Sequence, residues 1–114
     1  WETDPLGNSF GAGGLFLTLS ELHKFGLFYL NKGKWNGKQI LSEKWIEEST
    51  AASDTDNYGY LFWRGKYNSY RADGKYSQIS MILPDKNAVI SMVAECRNGE
   101  ELMSALYDLV CAKL

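Results

Sequence analysis

One short stretch decides the fold of this chain: Tyr70-Arg71-Ala72-Asp73-Gly74-Lys75-Tyr76-Ser77-Gln78. Asp73-Gly74 signals a backbone reversal, because glycine accepts a positive φ without steric cost and aspartate tolerates one better than most residues. An aromatic run at residues 58–64 precedes the stretch, and strand-like runs at residues 76–83 and 88–95 follow it. Two interpretations stay open: a polar loop that enters a β-hairpin, or one wall of an active site.

The strand-like runs predict a three-stranded antiparallel sheet made of residues 58–64, 76–83 and 88–95. Pro84-Asp85-Lys86-Asn87 joins the last two runs, and its proline presets φ for a turn. Because residues 88–95 carry apolar side chains on both faces, we expect the sheet to be covered on both sides.

Capping signals predict three helices. Thr18 and Glu21 form a capping-box pattern at the start of the first helix, and Asn31-Lys32-Gly33 supplies its end. Ser42 caps a second, shorter helix, and Asn98 caps the last one.

Side-chain periodicity predicts which helix faces are buried. Trp45 and Ile46 should turn inward from the second helix, and Asn36-Gly37, just before it, is the strongest short signal for a hairpin turn. The last helix carries an apolar stripe at helical spacing. The residues of that stripe are Leu102, Ala105, Leu106, Leu109 and Val110.

In chain order, the elements predict an α+β fold: two N-terminal helices, a three-stranded antiparallel sheet, and a C-terminal helix packed on the sheet. With 114 residues, the chain has the size of a single domain, residues 1–114.

Composition removes several classes of function. The net charge of −2 favours neither nucleic acid nor an anionic membrane as a partner. No run approaches the roughly 20 apolar residues of a membrane span. Cys96 and Cys111 are expected to be free thiols, and His23 is expected on the surface, off the apolar stripe of its helix. We therefore expect no metal and no other cofactor.

Several segments together resemble the serine β-lactamase-like family, which contains class C β-lactamases, penicillin-binding proteins and esterases. The resemblance covers nearly the whole chain and corresponds to roughly the C-terminal third of such proteins. The segments are GGLFLTLSELHKFG at residues 13–26, YLNKGKWNGKQILSEKW at residues 29–45, YGY at residues 58–60, RADGKYSQ at residues 71–78 and ILPD at residues 82–85.

The resemblance implies a partial β-lactamase or transpeptidase-like fold and a divided active site. The family uses a Ser-x-x-Lys box, a Tyr-x-Asn box and a third box, Lys-Thr-Gly or His-x-Gly, on the strand that edges the cleft. The first two boxes would lie upstream of Trp1, so the chain alone is expected to be inactive. The third box corresponds to Ala72-Asp73-Gly74, with Ala72 in place of the cation and Asp73 in place of the hydroxyl residue.

The resemblance also implies a substrate class. The backbone N–H of Lys75 would form half of an oxyanion hole, and residues 72–75 (Ala72, Asp73, Gly74, Lys75) would bind substrate. Because the box has no cation, we expect the full-length protein to act on a small ester or amide rather than on a β-lactam. The compartment is left open, with the cytoplasm favoured for a bacterial-type protein.

The resemblance implies that the strand at residues 88–95 pairs with N-terminal strands of the full-length protein. Those strands are not in this chain, so we expect the outer edge to be unpaired. We therefore expect homo-oligomers that form through this edge or through exchange of an element between copies. The alternative to the hydrolase fragment is a non-catalytic binding or self-assembly module.

Overall fold

The computed structural model describes residues 1–54 and 57–114, and in them the chain is an α+β protein with two sheets. The helices are α1 (Leu19–Leu30), α2 (Glu43–Thr50) and α3 (Gly99–Leu109). The strands are β1 (Lys34–Trp35), β2 (Lys38–Gln39), β3 (Trp63–Arg64), β4 (Tyr70–Gly74), β5 (Gln78–Leu83) and β6 (Ala88–Met92).

The main sheet has four antiparallel strands in the order β3-β4-β5-β6, so the prediction of three strands is wrong. Residues 70–74, which the sequence pattern assigns to a loop, form the second strand. Asp and Gly are poor strand formers, but pairing with all of the facing residues of β5 outweighs that preference. The aromatic run at residues 58–64 contributes only the two residues of β3. β1 and β2 form a separate two-stranded hairpin.

The backbone reversal lies after Gly74 rather than at it. Gly74 pairs with Gln78 as the last rung between β4 and β5, and its φ is not positive. Tyr76 and Ser77 take the positive φ angles, 62° and 71°. Such angles are uncommon for residues with a side chain, so this turn is held by its surroundings rather than by a glycine.

The local capping predictions are confirmed. The Thr18 backbone N–H donates to the Glu21 carboxylate over 2.7 Å, and the Glu21 N–H donates back to Thr18 Oγ1 over 3.3 Å. Ser42 and Asn98 cap α2 and α3 as predicted. Asn36-Gly37 makes the turn between β1 and β2, with φ angles of 47° and 77°.

The main sheet is covered on both faces, as predicted. On one face, α1 and α2 enclose a cluster made of Tyr29, Ile46, Phe62, Tyr70 and Ile82. On the other face, α3 and the turn that follows it pack on β5. That second cluster is made of Ile79, Met81, Leu83, Met103, Tyr107 and Cys111.

Two predicted helix faces are correct in part: Ile46 of α2 is buried and Leu106 of α3 packs against the core, but other positions are wrong. Trp45 is 44% exposed and packs its ring on Tyr60 rather than turning inward beside Ile46. On α3, Leu109 is 62% exposed, and the buried positions are Met103 and Tyr107. The sequence pattern favours leucine, whereas the sheet accepts the flexible methionine and the tyrosine, whose hydroxyl lies 3.3 Å from Ser69 Oγ.

Neither cysteine forms a disulfide: Cys111 is a buried free thiol and Cys96 a half-buried one, as predicted. In the described part of the chain, no helix is long and apolar enough to cross a membrane.

Candidate functional site

The edge of β4 is open along the half that contains the third-box residues. β3 pairs only with Tyr70 and Arg71, whereas β5 pairs with every residue of β4. Residues 72–74 therefore have a strand on one side only, among the residues that the structure describes. The free side of such a strand carries backbone N–H and C=O groups that can pair with another extended segment or a substrate.

Residues 72–75 all lie on this edge or in the turn that follows it. Ala72 is half-buried against the cluster under α1, and Gly74 and Lys75 are exposed. Asp73 is exposed as a whole residue, but its side chain is largely covered. The backbone N–H of Lys75 makes no hydrogen bond to any described residue. The Lys75 side chain folds back over the Tyr76 ring, with Nζ 4.9 Å from the ring centroid. The Lys75 backbone is therefore accessible while its ammonium group is turned aside.

Arg71, which immediately precedes the third-box residues, places a guanidinium group beside them. The family motif does not include this cation. The Arg71 Nε donates to the Asp73 Oδ2 over 2.9 Å, and the two side chains are only 16% and 23% exposed. Residues two apart on a strand share a face, and that spacing is the sequence signal for the pair. Because Asp73 is ion-paired, it is not a free carboxylate general base.

Two adjoining cavities flank the edge, with volumes of about 390 and 440 Å³. Both are lined by Asp73, Ser77 and Gly99. The first extends toward Trp63 and the second toward Arg97. Their volumes fall in the range of about 300–1,000 Å³ that is typical of small-molecule sites.

A third cavity, of about 410 Å³, is apolar and lies between α1, α2 and the start of β4. Burial raises the pKa of Tyr70 to about 12, and the Arg64 guanidinium carbon lies 5.7 Å from the centre of the Tyr70 ring. This cavity shares no lining residue with the other two and lacks a paired nucleophile and base. It offers burial for an apolar group.

Other candidate groups do not join the site. Tyr29-Leu30-Asn31 has the letters of Tyr-x-Asn, but Tyr29 is buried in the cluster under α1, where burial raises its pKa. His23 is half-buried rather than on the surface, because its Nδ1 lies 3.0 Å from Ser91 Oγ on β6. Within the described ranges, no three His, Cys, Asp or Glu residues are grouped to hold a metal ion.

Comparison with protein-family models gives no match, and comparison with curated protein sequences gives no significant match. The resemblance described above therefore rests on the motifs alone.

Proposed function

We propose that this chain supplies the carbonyl-binding edge of a β-lactamase-like serine hydrolase, whose serine nucleophile belongs to a different segment of polypeptide. One observation carries the proposal: the open strand edge at residues 72–74 lies beside two cavities lined by Asp73, and the N–H of Lys75, in the turn that follows, has no hydrogen-bond partner among the described residues. In this proposal the chain contributes hydrogen-bond donors and residues that line the cleft. It contains no Ser-x-x-Lys sequence.

The chemistry follows from the position of that N–H. When a serine Oγ bonds to the substrate carbonyl carbon, the π electrons move to oxygen, and the Lys75 N–H donates a hydrogen bond to the resulting oxyanion. The oxyanion then collapses, the alcohol or amine leaves with a proton, and water hydrolyses the acyl-serine. A single donor of this kind accounts for roughly a 10²–10³-fold effect on kcat.

The side chains of the edge favour a small ester or amide over a β-lactam. Ala72 offers a methyl group where the family's box has a cation. Arg71 and Asp73 lie on the opposite face of β4 and are paired with each other, so neither charge is fully available to a substrate.

An assay of the isolated chain tests the division of the site. We expect no turnover of an aryl ester or a chromogenic β-lactam beyond background, and no labelling by a fluorophosphonate, because the nucleophile is elsewhere. Ester hydrolysis should appear when the chain is combined with a polypeptide that carries the Ser-x-x-Lys and Tyr-x-Asn boxes. Serine-dependent turnover by the isolated chain would contradict the proposal.

A second function, a self-assembly module, is favoured by the outer edge of β6. β6 (Ala88–Met92) pairs with β5 on one side and with no described residue on the other, and it contains no charge and no proline to guard that edge. Residues 1–16 add further exposed apolar side chains. These are Trp1, Leu6, Phe10, Leu15 and Phe16.

Light scattering measures the molar mass in solution and so distinguishes a self-assembling chain from a monomeric one. Val93, just after β6, is 54% exposed, and Val110, after α3, is 42% exposed. If copies associate through the β6 edge, Val93→Lys should return the chain to monomer, because an edge lysine opposes strand pairing. Val110→Lys is the matched control and should leave the oligomer intact. A wild-type chain that stays monomeric at high concentration would exclude the module.

A further inference from the structure

The cavity of about 440 Å³ beside Gly74 contains a hydroxyl group that no described residue uses. Ser77 is 6% exposed, and its Oγ has no hydrogen-bond partner in the described chain. Among the described residues, every side-chain polar atom that is fully shielded from solvent has a hydrogen-bond partner. Because the Ser77 Oγ has none, it is not fully shielded, and it faces the cavity that Ser77 lines. A buried hydroxyl that faces a cavity is placed to bind whatever occupies it.

Gly99, the first residue of α3, lines the same cavity. The Asn98 Oδ1 accepts the Glu101 N–H over 3.3 Å, whereas the N–H groups of Gly99 and Glu100 have no partner among the described residues. A Cβ added to Gly99 would lie 3.7 Å from the Ser77 Oγ, so the helix start and the hydroxyl are neighbours. Free N–H groups at the start of a helix and the helix dipole both favour an anion.

Asp73 and Arg97 are the charged side chains that line this cavity, and Asp73 is held by Arg71. The Glu101 carboxylate, in the first turn of α3, keeps its negative charge while it accepts a hydrogen bond of 2.7 Å from the Asn98 side chain. Arg97 lines the cavity and makes no ion pair with any described residue. Glu100 lines the neighbouring cavity and not this one.

We propose that Ser77, Arg97 and the N-terminus of α3 form a binding site for a small carboxylate. One unpaired guanidinium balances one negative charge, which fits a monoanion better than a phosphate dianion. The site adjoins Gly74, so a substrate whose carbonyl reaches the β4 edge would place its own acid group here. That last identification rests on the proposed function, whereas anion binding does not and is measurable on the isolated chain.

Cys96 provides a direct readout, because it lines the same cavity while Cys111 is fully buried. Anionic iodoacetate and neutral iodoacetamide alkylate the same sulfur, so the ratio of their rates reports the local charge. We expect Arg97→Gln to lower the iodoacetate-to-iodoacetamide ratio about threefold at low salt. Lys113→Gln, beyond the far end of α3, is the matched control and should leave the ratio unchanged.

Amide NMR titrations with acetate and with inorganic phosphate test binding directly. Ser77→Gly removes the hydroxyl yet suits the positive φ of 71°, so the variant is expected to fold. Saturable acetate shifts at Gly99 and Glu100 in the wild type, weakened in Ser77→Gly and Arg97→Gln, would support the site. Tighter binding of phosphate than of acetate would overturn the carboxylate assignment. Absent acetate shifts together with an unchanged alkylation ratio in Arg97→Gln would overturn the site, whatever the outcome of any hydrolysis assay.

Discussion

Arg71 and Asp73 lie on the same face of β4, and the Arg71 Nε donates a hydrogen bond of 2.9 Å to the Asp73 Oδ2. The pair sits at the point where β3 stops and β4 continues with β5 as its only neighbouring strand among the described residues. It therefore fixes the balance of charge at the open edge, and breaking it from either side should change that balance in opposite directions.

Charge substitutions in this pair should move the reactivity of Cys96 in opposite senses. Asp73→Asn keeps an oxygen that can accept from Arg71 but removes a negative charge, so it should raise the iodoacetate-to-iodoacetamide rate ratio by about two- to fivefold at low salt. Arg71→Gln should lower the ratio by a similar factor. Both effects should fade in about 1 M salt. Equal ratios in all three proteins would show that the pair does not set the potential of the cavity.

The crossing of α1 over the main sheet requires a residue without a side chain at Gly26. A Cβ there would lie 2.5 Å from Val89 Cγ1 and 2.6 Å from Ser80 Oγ. Gly26→Ala should lower the free energy of unfolding by roughly 1–3 kcal/mol, because overpacking displaces both neighbours. Gly11→Ala, which would meet nothing within 4 Å, is the matched control for urea denaturation. A Gly26→Ala protein as stable as Gly11→Ala would mean that α1 is not seated on the sheet at this point.

Glu21 should make the stability of α1 depend on pH in acid. Hydrogen bonds from the backbone N–H and the side chain of Thr18 hold the pKa of the Glu21 carboxyl below its ordinary value of 4.5. Its contribution is thus present above about pH 4.5 and is lost as the pH falls through the lower, folded-state pKa. Glu21→Gln should flatten this part of the stability profile.

Thr18→Ala should weaken this acid dependence without removing it, because the backbone N–H at position 18 still donates to Glu21. It should also lower the free energy of unfolding by about 1 kcal/mol at neutral pH, since it deletes the side-chain cap. Circular dichroism of urea-unfolding curves between pH 3 and 7 measures both effects. An acid profile that is identical in wild type and Glu21→Gln would argue against the capping box.

Tyr70 should be the last tyrosine to ionise. Burial disfavours tyrosinate and raises its pKa from 10.0 to about 12, although the nearby Arg64 opposes the shift. Since the folded pKa is the higher one, this group's contribution to stability is complete below about pH 10 and declines as the pH rises toward 12. Absorbance at 295 nm should show a late-titrating component that is missing in Tyr70→Phe. A wild-type curve that ends with the other tyrosines would contradict the burial.

The local features of the fold are readable from sequence because their causes are local. Thr18, Ser42 and Asn98 cap helices through hydrogen bonds to residues three positions on, and Asn36-Gly37 closes its hairpin through its own backbone angles. Each of these interactions spans only a few residues, so spacing alone predicts it.

The features that fail depend on distant contacts. β4 reads as a loop because Asp73 and Gly74 are poor strand formers, and only its ladder with β5 makes it a strand. The buried face of α3 is chosen by the sheet beneath it, which receives Met103 in preference to the more apolar Leu109. Propensity and periodicity do not contain this information.

The candidate site divides in the same way. Residues 72–75 are named from their resemblance to a family motif, and the structure places them along one edge. Ser77 lies in the RADGKYSQ segment but has no assigned role in the family's boxes, and Arg97 lies outside all of the quoted segments. They line one cavity only because the β4–β5 turn meets the start of α3. Nothing in their spacing along the chain predicts that meeting.

The central proposal is that the Lys75 backbone N–H stabilises an oxyanion in a hydrolase that also contains the serine nucleophile. Its most direct test is kcat toward an aryl ester for two variants of the full-length protein: Lys75→Pro, which deletes the N–H, and Lys75→Ala, which keeps it. Both folds are checked by circular dichroism. We predict a loss of roughly 10²–10³-fold for the proline variant and less than about threefold for the alanine variant. Equal activities in two folded variants would contradict the account.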